Sequence, residues 1–235
     1  MPGGLQMKKL VIASIAVAAV YGAPAIAADM PLKAPAPPIW TWTGFYVGVE
    51  AGAGWDSTRW TGADGSTTGQ FQGNGGEVGA TLGWNWQAPG SPWVIGIEGD
   101  WSWDNLRAVT GPASKALVQG VNWLATLRGR MGYANGPLLF YVTGGAAFAD
   151  IHNFFSPLEA ATGGNYTTTA TGWAVGGGLE GALGGGWSLK GEYIYTSFGA
   201  TTACVAGDAN CTVAVAINAN YTNIHLVRAG VNYKF

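Results

Sequence analysis

The sequence predicts an all-β chain: an eight-stranded antiparallel up-and-down transmembrane β-barrel. Three observations predict it. An export signal opens the chain, eight later segments alternate with a period of two, and in those segments charge and large rings keep to opposite faces. Period-two alternation is the signature of a barrel strand, weak in one segment and strong when it recurs.

Lys8 and Lys9 precede an apolar run from Leu10 to Val20, and Ala25-Ile26-Ala27 supplies the small-x-small pattern of a cleavage site. Residues 1–27 are therefore expected to be a signal peptide cut after Ala27, with Met1–Gln6 a start-site extension ahead of the charged region. The run is too short for a spanning helix, which needs about 20 apolar residues. No later window approaches that length, so any membrane crossing must use strands. Residues 28–41 carry Pro31, Pro35, Pro37 and Pro38 and read as an extended periplasmic leader, leaving 42–235 for the barrel.

Composition agrees. Only 10% of residues are charged while 48% are hydrophobic and 12% aromatic. A soluble domain carries about a quarter charged residues, and a disordered chain lacks this aromatic content. Two of the 11 Lys and Arg lie in the signal, so acids outnumber bases in the mature chain and no basic stripe for nucleic acid is expected.

Eight segments of about 11 to 15 residues follow. The first runs from Thr43 to Trp55, with Phe45, Val47, Val49, Ala51, Ala53 and Trp55 on one face. The second presents Val78, Ala80, Leu82, Trp84 and Trp86; the third Trp93, Ile95, Ile97, Trp101 and Trp103. In the fourth the apolar face is Val121, Trp123, Ala125, Leu127, Met131 and Tyr133. Leu138–Val142 is apolar on both faces, and Phe140, Val142, Ala146 and Phe148 are favoured as the outward set of the fifth. The sixth carries Trp173, Val175, Leu179 and Leu183, the seventh Trp187, Leu189, Tyr193 and Tyr195. Tyr221, Val227, Ala229, Val231, Tyr233 and Phe235 belong to the last. The connections at 88–92, 135–137 and 184–186 are Gly- and Pro-rich tight turns. Those near 56–74, 104–119, 150–168 and 199–219 are long and polar, and long loops of such a barrel face outside the cell.

Charge decides which face meets lipid. Glu50, Glu77, Glu98, Asp100, Arg128, Arg130, Glu180, Lys190, Glu192, Arg228 and Lys234 all take the parity opposite to the apolar face. Rings cluster towards both ends of the apolar face, Trp86, Trp93, Phe140, Trp187, Tyr233 and Phe235 at the short turns and Trp55, Trp101, Trp103, Trp123, Phe148, Trp173, Tyr193 and Tyr195 towards the loops. Two such girdles mark a lipid-facing exterior. An inverted, soluble barrel would have to fit the rings into an interior wide enough only for modest side chains. The charges then point into a narrow lumen, where burial demands pairing. The expected network sets Glu50, Glu98, Asp100, Glu180 and Glu192 against Arg128, Arg130, Lys190 and Arg228. It would fill the lumen as a polar core, or else line a narrow gated pore.

Cys204 and Cys211 stand in the last long loop. In an exported chain they read as a disulfide, with free thiols the alternative, stabilising by roughly 2.5 kcal/mol through loop closure. Half a metal site would need further ligands that are not nearby, so no metal is expected.

Five segments carry a resemblance: Thr41–Gly48, Trp123–Arg130, Gly172–Gly176, Trp187–Tyr193 and Val227–Phe235. In this order they resemble the small outer-membrane β-barrel proteins of alphaproteobacteria, the porin-family or surface-antigen barrels. The resemblance runs from about Trp40 onward. It implies a Gram-negative outer-membrane location with periplasmic termini and an architecture similar to the OmpA membrane domain, with no peptidoglycan-binding domain expected after the last strand. It also implies that Phe235, with Tyr233 and Val231 at alternate positions, is a signal for the barrel assembly machinery. Periplasmic chaperones, outer-membrane lipid and lipopolysaccharide are the implied partners.

Some barrels of this size modify lipid A, which requires a nucleophile, a base and an acid together on the outer face. His225 and Ser197 have outward parity, but no outward acid completes the set and Asp150 lies on a distant strand; His152 is the only other histidine. The chain is read as non-enzymatic, with no cofactor. Some relatives bind haem or adhere to host surfaces, and Trp60, Phe71, Phe154, Phe155 and Tyr166 give the loops candidate contacts, though neither histidine lies in a haem motif. The expected role is structural, in envelope integrity and surface display. The alternatives are a narrow pore for small solutes and a loop-mediated adhesin or haem-binding protein.

Overall fold

The computed structural model describes residues 40–62, 70–110, 117–155, 164–201 and 217–235. Its strands are β1 (Gly44–Gly62), β2 (Phe71–Gln87), β3 (Trp93–Thr110), β4 (Leu117–Asn135), β5 (Leu138–Phe155), β6 (Gly164–Gly184), β7 (Trp187–Thr201) and β8 (Ile217–Lys234). They form one closed barrel in sequence order, and β8 returns to pair antiparallel with β1. Closure leaves no sheet edge, so the backbone of each spanning strand is satisfied by its neighbours, as lipid requires.

Alternation sets the faces. Phe45, Leu82, Ile97, Leu127, Val142, Val175, Leu189 and Val227 point outward and are exposed. In β5, Phe140, Val142 and Phe148 are outward while Leu139 and Tyr141 are buried, which fixes the register of the segment apolar on both sides. Tight turns join the strands at the end near the described termini. Gly90 (φ 74°) and Gly136 (φ 60°) hold the left-handed conformation there, at no steric cost to a residue without Cβ.

Three details depart from the sequence expectation. The strands are longer than the apolar pattern implied, from 15 residues in β7 to 21 in β6. Hydrophobicity reports where a strand touches lipid, whereas backbone pairing continues into the polar residues beyond, shortening the connections. Val121, expected outward, is buried. Register shifts fall between Trp103 and Leu106 of β3 and between Val121 and Trp123 of β4; on β4 the unpaired Asn122 reverses the parity, whereas β3 keeps its even residues inward on both sides. Lys234, expected in the lumen, sits half-buried at the mouth with Nζ 4.4 Å from the Trp40 ring and hydrogen-bonded to the Thr41 carbonyl.

The lumen is layered. Trp42, Val94, Ala134, Leu139 and Tyr141 form an apolar layer at the turn end, with Trp40 and Ala182 packed against it. The Trp42 backbone N–H donates to Gln87 Oε1 at 3.0 Å, while Thr43 Oγ1 accepts from the Gln87 backbone N–H at 2.9 Å. Leu106, Val121, Leu124, Ile151, Ile194, Phe198, Ile224 and Leu226 belong to a second apolar layer towards the loops. Charged side chains occupy the space between.

Candidate functional site

The middle layer assembles from six strands. β1 supplies Glu50, β3 Glu98 and Asp100, β4 Arg128 and Arg130, β6 Glu180, β7 Lys190 and Glu192, and β8 Arg228. Each takes the inward parity of its strand and is buried. Arg128 lies at the centre. Its Nη2 is 2.7 Å from Glu98 and 2.9 Å from Asp100, and Nη1 is 3.1 Å from Glu192. Nε donates to Thr126 Oγ1 at 2.8 Å and Nη1 also to Thr143 Oγ1 at 2.9 Å. Arg228 makes a second hub, with Nη1 2.7 Å from Glu50 and 3.0 Å from Asp100 and Nε 2.9 Å from Glu192. Lys190 Nζ sits 2.9 Å from Glu50, 3.0 Å from Glu192 and 3.6 Å from Glu98. Neither the Glu50 oxygens nor Lys190 Nζ has a hydrogen-bond partner among the described residues, so the contacts of both are charge contacts rather than directed bonds.

Arg130 forms the turn-side branch. It pairs with Glu180, approaches Glu98 at 3.7 Å and lies 3.8 Å from the Tyr141 ring centroid, a cation–π contact. Glu180 also accepts from Ser188 at 2.5 Å and from Asn232 at 2.9 Å. The Tyr46 hydroxyl donates to Glu98 Oε2 at 2.6 Å and accepts from Arg130 at 3.2 Å. The structure thus brings all nine expected network residues together and adds Tyr46 and Tyr141. Tyr46 shares the parity of Glu50 on β1, which is the signal that could have singled it out, whereas Tyr141 stands on β5, a strand that gives the lumen no charge. Glu77 is buried towards the loops, cross-strand from Asp104, and joins no ion pair among the described residues.

Five carboxylates face four cations here, so charge nearly cancels. Isolated buried ion pairs often contribute little net stability, because desolvation offsets attraction. In an eight-stranded lumen they can act on geometry instead. Every partner sits on a different strand or register step, and a one-residue slip would turn its side chain to lipid.

The family profile described as "outer membrane protein beta-barrel domain" matches residues 13–235. The chain belongs to this family. The outer-membrane barrel is 32% identical over 256 residues to a 31 kDa outer-membrane immunogenic protein of Brucella melitensis, covering 97% of this chain and 100% of that one. It is 31% identical to a 25 kDa outer-membrane immunogenic protein of Brucella abortus, covering 97% and 99%. Among solved structures it is similar to the outer membrane protein OprG from Pseudomonas aeruginosa, with TM-score 0.48, 13% identity and coverage of 82% and 96%.

On the outer-membrane barrel's outward face, His225 hydrogen-bonds Tyr193, and His152 Nδ1 is 2.8 Å from Thr167 Oγ1. Ser197 pairs across strands with Asn223, one register step from His225. Tyr233 packs edge-to-face with Trp187 and Phe235 at the turn end, where Val231 is partly exposed. Cys204 and Cys211 lie outside the described residues, as do the side chains of Trp60, Phe71, Phe154, Phe155, Tyr166 and Tyr221.

Proposed function

We propose that this protein is a structural, non-enzymatic component of the outer membrane that braces the envelope and displays its loops outside the cell, with a lumen closed to solutes. One observation carries the reading: an ion-paired layer whose side chains have no solvent exposure, apart from 4% at Glu180, lies between two apolar layers. A conducting pore needs a continuous aqueous path. Here water would have to displace Trp42 at one end and the Leu124, Ile194 and Leu226 layer at the other. Two Brucella relatives are named immunogenic, which supports surface display.

In this reading residues 1–27 direct export, 28–41 lie in the periplasm with both termini, and the loop-end strands face outward. The assembly machinery reads Phe235 with Tyr233 and Val231, after periplasmic chaperones deliver the chain. Cys204 and Cys211 close a disulfide. The test is planar-bilayer conductance of the purified mature barrel. No stable openings are expected. Openings that Arg128→Ala or Glu180→Ala abolish would overturn the closed lumen in favour of a gated pore.

A further inference from the structure

Outside the lumen, one titratable side chain sits in a built aromatic setting. His225 faces outward near the loop end of β8. Its ring lies nearly parallel to the Trp55 indole of β1, with centroids 5.3 Å apart and planes at 7°. Tyr195 of β7 packs against the same ring at 5.0 Å, and the Tyr193 hydroxyl is 2.7 Å from Nδ1. With Nδ1 engaged, Nε2 is the nitrogen available to a ligand. One register step towards the loops, Ser197, Asn223 and Ser57 stand side by side on the same outward face. The next step on β1 is Arg59, which is exposed. Across this span, about 13 Å along the strand, the outward surface carries cationic and neutral donors. The carboxylates of these strands, Glu50, Asp56 and Glu192, are all buried on the lumen side.

We propose that this patch is a phosphate-recognition site for the headgroup of lipid A in the outer leaflet. Arg59 supplies a planar fork that matches phosphate oxygens. Ser57 and Asn223 donate to the remaining oxygens, and His225 donates from Nε2. The rings below lie in the interfacial girdle, where sugar and upper acyl chain meet. An aromatic belt needs only amphipathic rings. It does not account for a histidine held between three of them beneath a row of donors and an arginine, with the described acids of these strands turned inward. The proposal rests on the loop end facing outside the cell, and it is independent of whether the lumen conducts.

Native mass spectrometry of the refolded mature barrel, released from detergent with diphosphoryl lipid A, dephosphorylated lipid A or phosphatidylglycerol, tests it. Wild type retains the diphosphoryl lipid in preference to both others. Arg59→Ala and His225→Ala each lower that retention about tenfold, the scale of a hydrogen bond to a charged group, while His152→Ala leaves it unchanged. Heat-modifiable gel mobility checks that each variant is folded. If His225→Ala fails to fold, His225→Phe keeps the stacked ring without its nitrogens and shows the same loss. Equal retention of the dephosphorylated lipid, equal retention of phosphatidylglycerol, or variants that match wild type would overturn the site.

Discussion

Arg128→Met tests whether the lumen is held by pairing or merely filled. The substitution keeps most of the side-chain volume and removes a cation that touches Glu98, Asp100 and Glu192 at 2.7–3.1 Å. The three acids do not lose equally. Asp100 keeps Arg228 at 3.0 Å, and Glu192 keeps Arg228 at 2.9 Å and Lys190 at 3.0 Å. Glu98 keeps only the Tyr46 hydroxyl at 2.6 Å, with Lys190 and Arg130 no nearer than 3.6 Å and 3.7 Å. The cost therefore concentrates on Glu98, and an uncompensated buried charge is worth about 3–5 kcal/mol. Glu98→Gln in the same background should recover part of the loss, with a coupling of about 0.5–3 kcal/mol. Glu180→Gln should not, because Glu180 is paired with Arg130. Urea unfolding in lipid vesicles, followed by tryptophan fluorescence and gel mobility, measures the parent, the three single variants and the two double variants. A single variant within about 1 kcal/mol of the parent, or strict additivity with Glu98→Gln, refutes the reasoning.

Lysine at Leu82 or Val175, both exposed in the outward band, should cost about 2–4 kcal/mol at mid-bilayer and lower membrane insertion; equal recovery of parent and variants in liposome flotation would contradict the assigned faces. Gly178→Ala and Gly191→Ala make a pair on facing strands. A Cβ at Gly178 would lie 2.8 Å from both Glu192 Cβ and the Tyr141 hydroxyl, whereas one at Gly191 meets nothing within 4 Å. The first should lose about 1–3 kcal/mol by overpacking and the second should be neutral or gain up to about 1 kcal/mol, both read from urea midpoints. Deleting Phe235 should reduce outer-membrane levels in cell fractionation while in vitro refolding persists, and unchanged levels would count against the assembly signal.

Strand number, faces and network membership were legible because each follows from period two. A lumen residue and a lipid residue differ by one position, so parity alone sorts Glu50 from Val49 and Arg128 from Leu127. Strand ends were not legible, because the pattern fades where the outer face leaves lipid while the ladder runs on through residues such as Thr58 and Gln119. The bulges beside Trp103 and Val121 were hidden for another reason. A bulge is a register shift between two strands, and nothing in either strand alone announces it. Tyr46 and Tyr141 are not legible as network members because a ring in such a barrel also marks a girdle, whereas a phenol can satisfy a carboxylate and lie against a guanidinium at once.

The glycines complete the physical picture. Register sets Gly52 beside Arg228, Gly83 beside Glu98, Gly145 beside Arg128, and Gly178 beside Glu192. A Cβ at Gly52, Gly145 or Gly178 would meet the facing strand's backbone first, at the carbonyls of Val227, Leu127 and Gly191, and then the Cα or Cβ of that charged neighbour, while one at Gly83 would meet the Tyr46 ring. An eight-stranded lumen has little spare width, and seven of the nine network residues, all but Glu180 and Asp100, have a glycine as a cross-strand neighbour. Charge, glycine and register therefore specify one another. A slip of one residue would turn a glycine outward and bring a bulky apolar side chain in against an arginine, losing packing and pairing together. That coupling can account for a barrel that keeps a costly ionic core: its marginal contribution to stability matters less than its exclusion of neighbouring registers.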